Sequence, residues 1–148
     1  MKSNPVRIFA CLLILLAIGL AACSSSGTTP SPVTSLERPA PPAEYAGKSN
    51  PYGSEAATVE AGQALYQKNC LTCHGEHGMG DGPAAGGLNP KPQPLAVNQE
   101  NLPDDYLYWR ISEGGLRAPF SSAMPSWKVT LNEEDIWQVI SYIRTISD

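Results

Sequence analysis

Apolar side chains form one unbroken run near the start of the chain and three helical stripes further along it. The run, Ile8 to Ala22, shows no periodicity. Gly62, Leu65, Tyr66 and Asn69 recur on one face with the 3.6-residue period and predict a helix over 58–69, with Thr58 as its cap. A second helix is predicted over 103–113. Pro103 suits a first turn, Asp104 and Asp105 suit the positive end of the helix dipole, and Gly114 suits the C-terminal cap. The third is predicted over 132–146, with Asn132 as cap, Glu133, Glu134 and Asp135 behind it, and Ile136, Val139, Ile140 and Ile143 as the apolar stripe. The stretch between the first and second helices is rich in Gly and Pro. No segment reads as a strand and no internal repeat is present, so the expected fold class is all-α.

The apolar run is shorter than the roughly 20 residues a membrane-spanning helix needs, and Lys2 and Arg7 precede it. Residues 1–22 therefore read as an export signal. The run ends Leu20-Ala21-Ala22-Cys23, which resembles a bacterial lipobox. That resemblance implies a lipidated Cys23, cleavage before it and loss of Cys11 with the signal; an ordinary signal with a chance cysteine is the alternative. Residues 23–56 carry a Ser/Gly/Thr run and then Pro30, Pro32, Pro39, Pro41, Pro42 and Pro51, too little apolar surface to offset ordering entropy. They read as a lipid-anchored tether with a coil dimension of roughly 30–35 Å. The expected location is the extracytoplasmic (periplasmic) side of a bacterial membrane, with residues 57–148 as the working domain.

That domain is small for a self-sufficient apolar core, so a bound group would supply part of its interior. The formal net charge of −4 and the absence of a basic stripe argue against a nucleic-acid partner.

The chemistry concentrates in Cys70-Leu71-Thr72-Cys73-His74. Cys-x-x-Cys-His is the attachment pattern for c-type haem. Two thiols three positions apart reach two vinyl groups on one porphyrin edge, and the adjacent histidine becomes the proximal iron ligand. A thioredoxin-like redox pair would need a surrounding βαβ pattern, and a zinc half-site would need a second Cys/His pair; neither is present. Among the methionines, Met1 leaves with the signal and Met79 is five residues past His74, too near to reach the opposite haem face easily. Met124, in Ala123-Met124-Pro125-Ser126-Trp127, lies between the second and third helices, where a thioether can reach the far side of the iron and Pro125 can stiffen its loop. The alternative for Met124 is a core gap-filler. His77 reads as surface. Ligation by His74 and Met124 would leave no open coordination position and would raise the reduction potential relative to two histidines. Such a site suits electron transfer rather than catalysis. Trp109, Arg110 and Trp127 could donate toward haem propionates; core packing for the tryptophans and a surface charge for Arg110 is the other reading.

From Thr58 to Ile146 the chain resembles class I c-type cytochromes. The resemblance rests on Gly62-x-x-x-Tyr66-x-x-x-Cys70-x-x-Cys73-His74-Gly75, on Gly78-x-Gly80-Asp81-Gly82-Pro83, on Met124-Pro125, and on a last helix with Trp137 and Tyr142. It implies a small fold in which the N- and C-terminal helices cross around one covalent haem c, with Gly62 at the crossing and Tyr66 packed against Val139 and Tyr142. It also implies a proline carbonyl that accepts from the ligating histidine; Pro83 and Pro90 are the candidates. The run Gly80-Asp81-Gly82-Pro83…Leu88-Asn89-Pro90-Lys91-Pro92 and the segment Tyr108-Trp109-Arg110-Ile111-Ser112-Glu113-Gly114 resemble monohaem subunits of respiratory complexes, including the lipoprotein cytochrome of alternative complex III; oxidase-associated domains share much of this. The implied partners are redox donor and acceptor proteins, within a respiratory or photosynthetic quinol-oxidising or oxidase complex. A free tethered shuttle is the alternative. A haem sensor or peroxidase-like enzyme would require an exchangeable sixth ligand.

Overall fold

A computed structural model describes residues 38–98 and 101–146. The signal 1–22, Cys23 and the tether up to residue 37 lie outside the described residues. Helix α1 spans Ala56–Asn69, α2 Leu71–His74, α3 Leu95–Asn98, α4 Asp104–Glu113 and α5 Glu133–Ile143, with 3₁₀ turns at Ala85–Gly87 and Trp127–Val129. No strand occurs among the described residues, and the fold is the expected small all-α one.

Two helix ends differ from the sequence reading. Helix α1 starts at Ala56, before Thr58, because Ala56 and Ala57 are strong helix formers and Val59 N–H already reaches Glu55 O at 2.9 Å. Thr58 is a buried residue within the helix, and the capping position falls to Glu55, whose side chain makes no capping bond. At the other end of the chain α5 stops at Ile143. Thr145 and Ile146 continue it with tighter bonds to Tyr142 O (2.8 Å) and Ile143 O (3.2 Å). Its start is as expected: Asn132 accepts from Asp135 N–H at 2.9 Å, and Asp135 Oδ2 accepts from Asn132 N–H at 3.0 Å, a reciprocal capping box.

Helices α1 and α5 cross at Gly62. A Cβ there would lie 1.9 Å from Gln138 O and 3.1 Å from Tyr142 Cβ, so the two backbones touch. One turn on, Tyr66 is 1% exposed and its ring lies 5.2 Å from that of Tyr142. Val139, Ile140 and Ile143 complete this seam within the core. Helix α4 packs on the other side of α5 through Tyr108 and Trp137, whose rings are 4.4 Å apart. An Arg144–Asp104 ion pair at 2.6 Å ties the end of α5 to the start of α4.

The second half of the expected tether is not free chain. Residues from Arg38 onward belong to the same compact unit as the helices. They form a strap across α4 and α5. Gly47 N–H and Asn50 N–H donate to Asp105 Oδ2 and Asp104 Oδ2, both at 2.9 Å. Asn50 Nδ2 reaches Trp137 O at 3.2 Å and Ser141 Oγ at 2.9 Å. Tyr45 and Tyr52 pack against the core, and Tyr45 Oη donates to Glu113. Proline-rich composition hid this, because two tyrosines and one asparagine carry the docking.

Two outcomes follow from this packing. Gly62→Ala adds helix propensity worth about 1 kcal/mol but forces a backbone clash; a net loss of about 2–3 kcal/mol, read by denaturant unfolding of the haem-loaded protein, is expected. The Glu113 carboxyl is held below the usual carboxylate range, first by the hydrogen bond from Lys128 and then by that from Tyr45. The folded value is depressed, so this contact contributes fully above the ordinary value of about 4.3 and fades as pH falls through the lowered one. Protection of the strap amides, taken relative to the intrinsic exchange rate at each pH, should therefore fall on acidification below about pH 4.3, and Glu113→Gln should flatten that dependence.

Candidate haem-binding site

The site begins where α1 ends. Cys70 N–H still bonds Tyr66 O at 2.8 Å, and Cys70 O then accepts from Cys73 N–H at 3.1 Å and His74 N–H at 2.9 Å. This continuous turn sets both thiols and the imidazole on one short piece of backbone. Gly75 stops it with a φ of 82°, and Tyr66 Oη donates to Gly75 O at 2.9 Å, tying the stop to the buried seam. Both cysteines are half-buried free thiols. Burial, followed by the proximity of Cys73, pushes the Cys70 thiol up to about 12.

Residues 78–95 lie against this turn. Gly80 N–H bonds His74 O at 2.8 Å, Gly82 N–H bonds Cys73 O at 3.2 Å, and Ala84 N–H bonds Thr72 O at 2.9 Å. Gly82 has no room for a side chain: a Cβ would sit 2.5 Å from both Leu71 O and Thr72 O. A Cβ on Gly80 would meet Pro92 O at 2.3 Å, so the chain returns over this point. That return brings the Gln93 carbonyl, rather than Pro83 or Pro90, to face His74; both of those prolines are exposed. Burial lowers the His74 pKa and the Gln93 carbonyl works against that shift. Nδ1 is buried and makes no hydrogen bond of normal geometry.

Met124 lies between α4 and α5, half-buried against the apolar cluster that Cys70 and Leu71 also touch. Its loop is clamped to the end of α4. Gly115 N–H bonds Met124 O at 2.8 Å and Ser126 Oγ donates to Ser112 O at 2.7 Å. Gly114, at φ 69°, lets Pro125 O come within 2.3 Å of where a Cβ would be. Met79 and His77 are exposed. Arg110 is turned inward to this loop: Nη1 donates to Gly114 O and the guanidinium lies over the Phe120 ring. Trp109 is buried between Tyr106 and Phe120. Those contacts favour the packing reading for Trp109, while Arg110 is a loop brace rather than a surface charge. Trp127 is half-buried against the core.

The donor set fits haem. Two thiols and a half-buried imidazole share one turn, its buried Nδ1 makes no hydrogen bond of normal geometry, and glycines line the backbone cradle beside them. Among the described residues no group of three or more His, Cys, Asp or Glu gathers as a metal cage. Sequence reasoning missed Gln93, which reaches His74 only through the folded loop, and Glu113, to which it gave no role of its own.

Comparisons with known proteins agree. The family model for cytochrome C oxidase, cbb3-type, subunit III matches residues 57–143. Cytochrome c550 of Pseudomonas aeruginosa is 27% identical over 96 residues, covering 65% of this chain and 61% of that protein. The cbb3-type cytochrome c oxidase subunit CcoP of Azospirillum brasilense is 28% identical over 106 residues, covering 70% of this chain and 34% of that one. The chain thus spans less than two thirds of the length of either relative. A chain of the reducing HAO-like protein complex of Kuenenia stuttgartiensis shares the fold, with a TM-score of 0.56 at 23% identity over 75% of this chain and 52% of its own. With the family match spanning α1 to the end of α5 and the Cys70–His74 turn inside it, the chain belongs to the class I c-type cytochromes and carries covalently bound haem c.

Proposed function

We propose that this protein transfers electrons through one haem c ligated by His74 and Met124, as a membrane-tethered subunit of a respiratory or photosynthetic quinol-oxidising or oxidase complex. The observation that carries the ligand assignment is the Met124 loop: clamped to α4 on both sides of the methionine, and packed on the cluster that Cys70 touches. The haem supplies one-electron chemistry at its iron. Cys70 and Cys73 hold the group permanently, His74 is fixed by a turn with few degrees of freedom, and the Met124 loop is stiffened by Pro125 and by its bonds to Ser112 and Gly115. His74 and Met124 would then both be held in place by the protein's own turn and loop, which suits one-electron chemistry with little rearrangement.

Anchoring is through lipidated Cys23. Among the described residues no helix is long and apolar enough to cross a membrane. Because the packed unit begins at Arg38, only residues 24–37 separate it from that anchor. The resemblance to CcoP, an oxidase subunit, favours a place within a complex of the alternative complex III or oxidase kind over a free tethered shuttle. Purification in mild detergent distinguishes the two. Co-elution with membrane redox subunits supports the complex, and recovery solely as a free monomer supports the shuttle.

Substitutions at Cys70, Cys73 and Met124 test the site. Replacing Cys70 and Cys73 together by Ala should abolish haem retention on denaturing gels, while either single variant should keep one thioether. Met124→Ala should open the sixth position: the ferrous protein becomes high-spin, binds carbon monoxide rapidly and shows a lower midpoint potential in a redox titration. An unchanged spectrum in Met124→Ala would remove Met124 as a ligand. Rapid carbon monoxide binding by the unaltered protein would instead favour a sensor or peroxidase-like role.

A further inference from the structure

Most polar contacts of the strap end on α5 or near the start of α4, where they hold the core. Arg38 Nη1 reaches Asn101 O at 3.1 Å, and the Gly47 and Asn50 bonds fall on Asp105, Asp104, Trp137 and Ser141. Tyr45 is different. Its hydroxyl donates to Glu113 Oε1, at the last residue of α4. The same oxygen accepts from Lys128 Nζ at 2.6 Å. Lys128 sits in the 3₁₀ turn Trp127–Val129, immediately after the Met124-Pro125 loop. One carboxylate oxygen therefore gathers the strap, the end of α4 and the far side of the methionine loop.

The loop needs such a tie. Its outward side borders a cleft of about 490 Å³ lined by Trp109, Leu116, Arg117, Phe120, Ser126 and Lys128 among others, so packed side chains do not back it there. Leu116 is 66% exposed and Val129 77% exposed. Besides the packing of Met124 and Trp127 on the core, polar links to the end of α4 hold the segment, and Glu113 makes one of them, to Lys128, with the same oxygen that takes the Tyr45 hydroxyl. Those links persist around neutral pH: Lys128 and Tyr45 keep Glu113 ionised, and burial together with Glu113 keeps the Tyr45 hydroxyl protonated.

We propose that Tyr45 and Glu113 are positioning residues for Met124. Through the Tyr45–Glu113–Lys128 link, the segment N-terminal to the cytochrome domain holds the methionine loop against α4 and keeps the sulfur on the iron. The inference rests on the reading of Met124 as the second axial ligand. The strap is thus part of the haem environment, although it contains no haem ligand and precedes the family match at residue 57.

The test uses the haem-loaded full chain in the ferric state, with imidazole as the exchanging ligand. Loss of the methionine-to-iron charge-transfer band reports displacement of the sulfur. Losing a hydrogen bond to a charged group should accelerate displacement about tenfold in Tyr45→Phe and at least as much in Glu113→Gln. Asn132→Ala, which breaks the α5 capping box away from the loop, is the control: it should melt at a lower temperature and exchange at the unaltered rate. Exchange by Tyr45→Phe and Glu113→Gln at the rate of the unaltered protein would overturn the proposal. So would equal acceleration in Asn132→Ala, which would reduce the effect to global stability. Absence of the charge-transfer band in the unaltered protein has its own signature: it removes Met124 from the iron, and the proposal falls with it.

Discussion

The contact of two backbones at Gly62 sets the distance on which everything else depends. With Gln138 O only 1.9 Å from where a Cβ would stand, α1 and α5 can cross this closely only at a residue without a side chain. The crossing buries Tyr66 against Tyr142, and Tyr66 in turn donates to Gly75 O, the carbonyl that ends the Cys70–His74 turn. A single glycine is therefore linked, through one tyrosine, to the placement of both thiols and the imidazole. A wider crossing would free the Tyr66 hydroxyl, and the haem-bearing turn would lose its tie to the core.

The second face of the site is built on a different principle. Helix packing fixes His74, whereas side-chain and main-chain hydrogen bonds to the end of α4 fix Met124. Gly114 is the counterpart of Gly62 here, letting Pro125 and Met124 carbonyls approach the backbone where a Cβ would clash. On the proposed ligation, the His74 side is built from the core and the Met124 side from a braced loop, so ligand exchange would begin on the Met124 side.

Much of this was legible in the sequence because the signals were local. The Cys70–His74 motif, the Asn132 capping box, the Gly114 terminus and the Gly62 to Tyr66 spacing each specify a conformation within a few residues. What was not legible depended on distant partners. Thr58 looked like a cap but is buried, because two alanines before it extend the helix. The run from Arg38 to Glu55 looked like tether because it holds four prolines and no Val, Ile, Leu, Met or Phe, yet Tyr45, Asn50 and Tyr52 find partners on α4, α5 and the core. Gln93 faces His74 only because Gly80 lets the Pro92 segment fold back. Glu113 had an ordinary helical position, and its role comes from Tyr45 and Lys128, far from it in sequence.

On the proposed assignment, a permanent haem, two protein ligands and a lipid-anchored N-terminal segment form a closed electron relay. The most direct measurement of that claim is resonance Raman spectroscopy of the haem-loaded full chain in both oxidation states, with carbon monoxide added to the ferrous form. Six-coordinate, low-spin haem in both states and no prompt carbon monoxide adduct are the predicted result. A five-coordinate, high-spin ferrous spectrum that takes up carbon monoxide at once would contradict it.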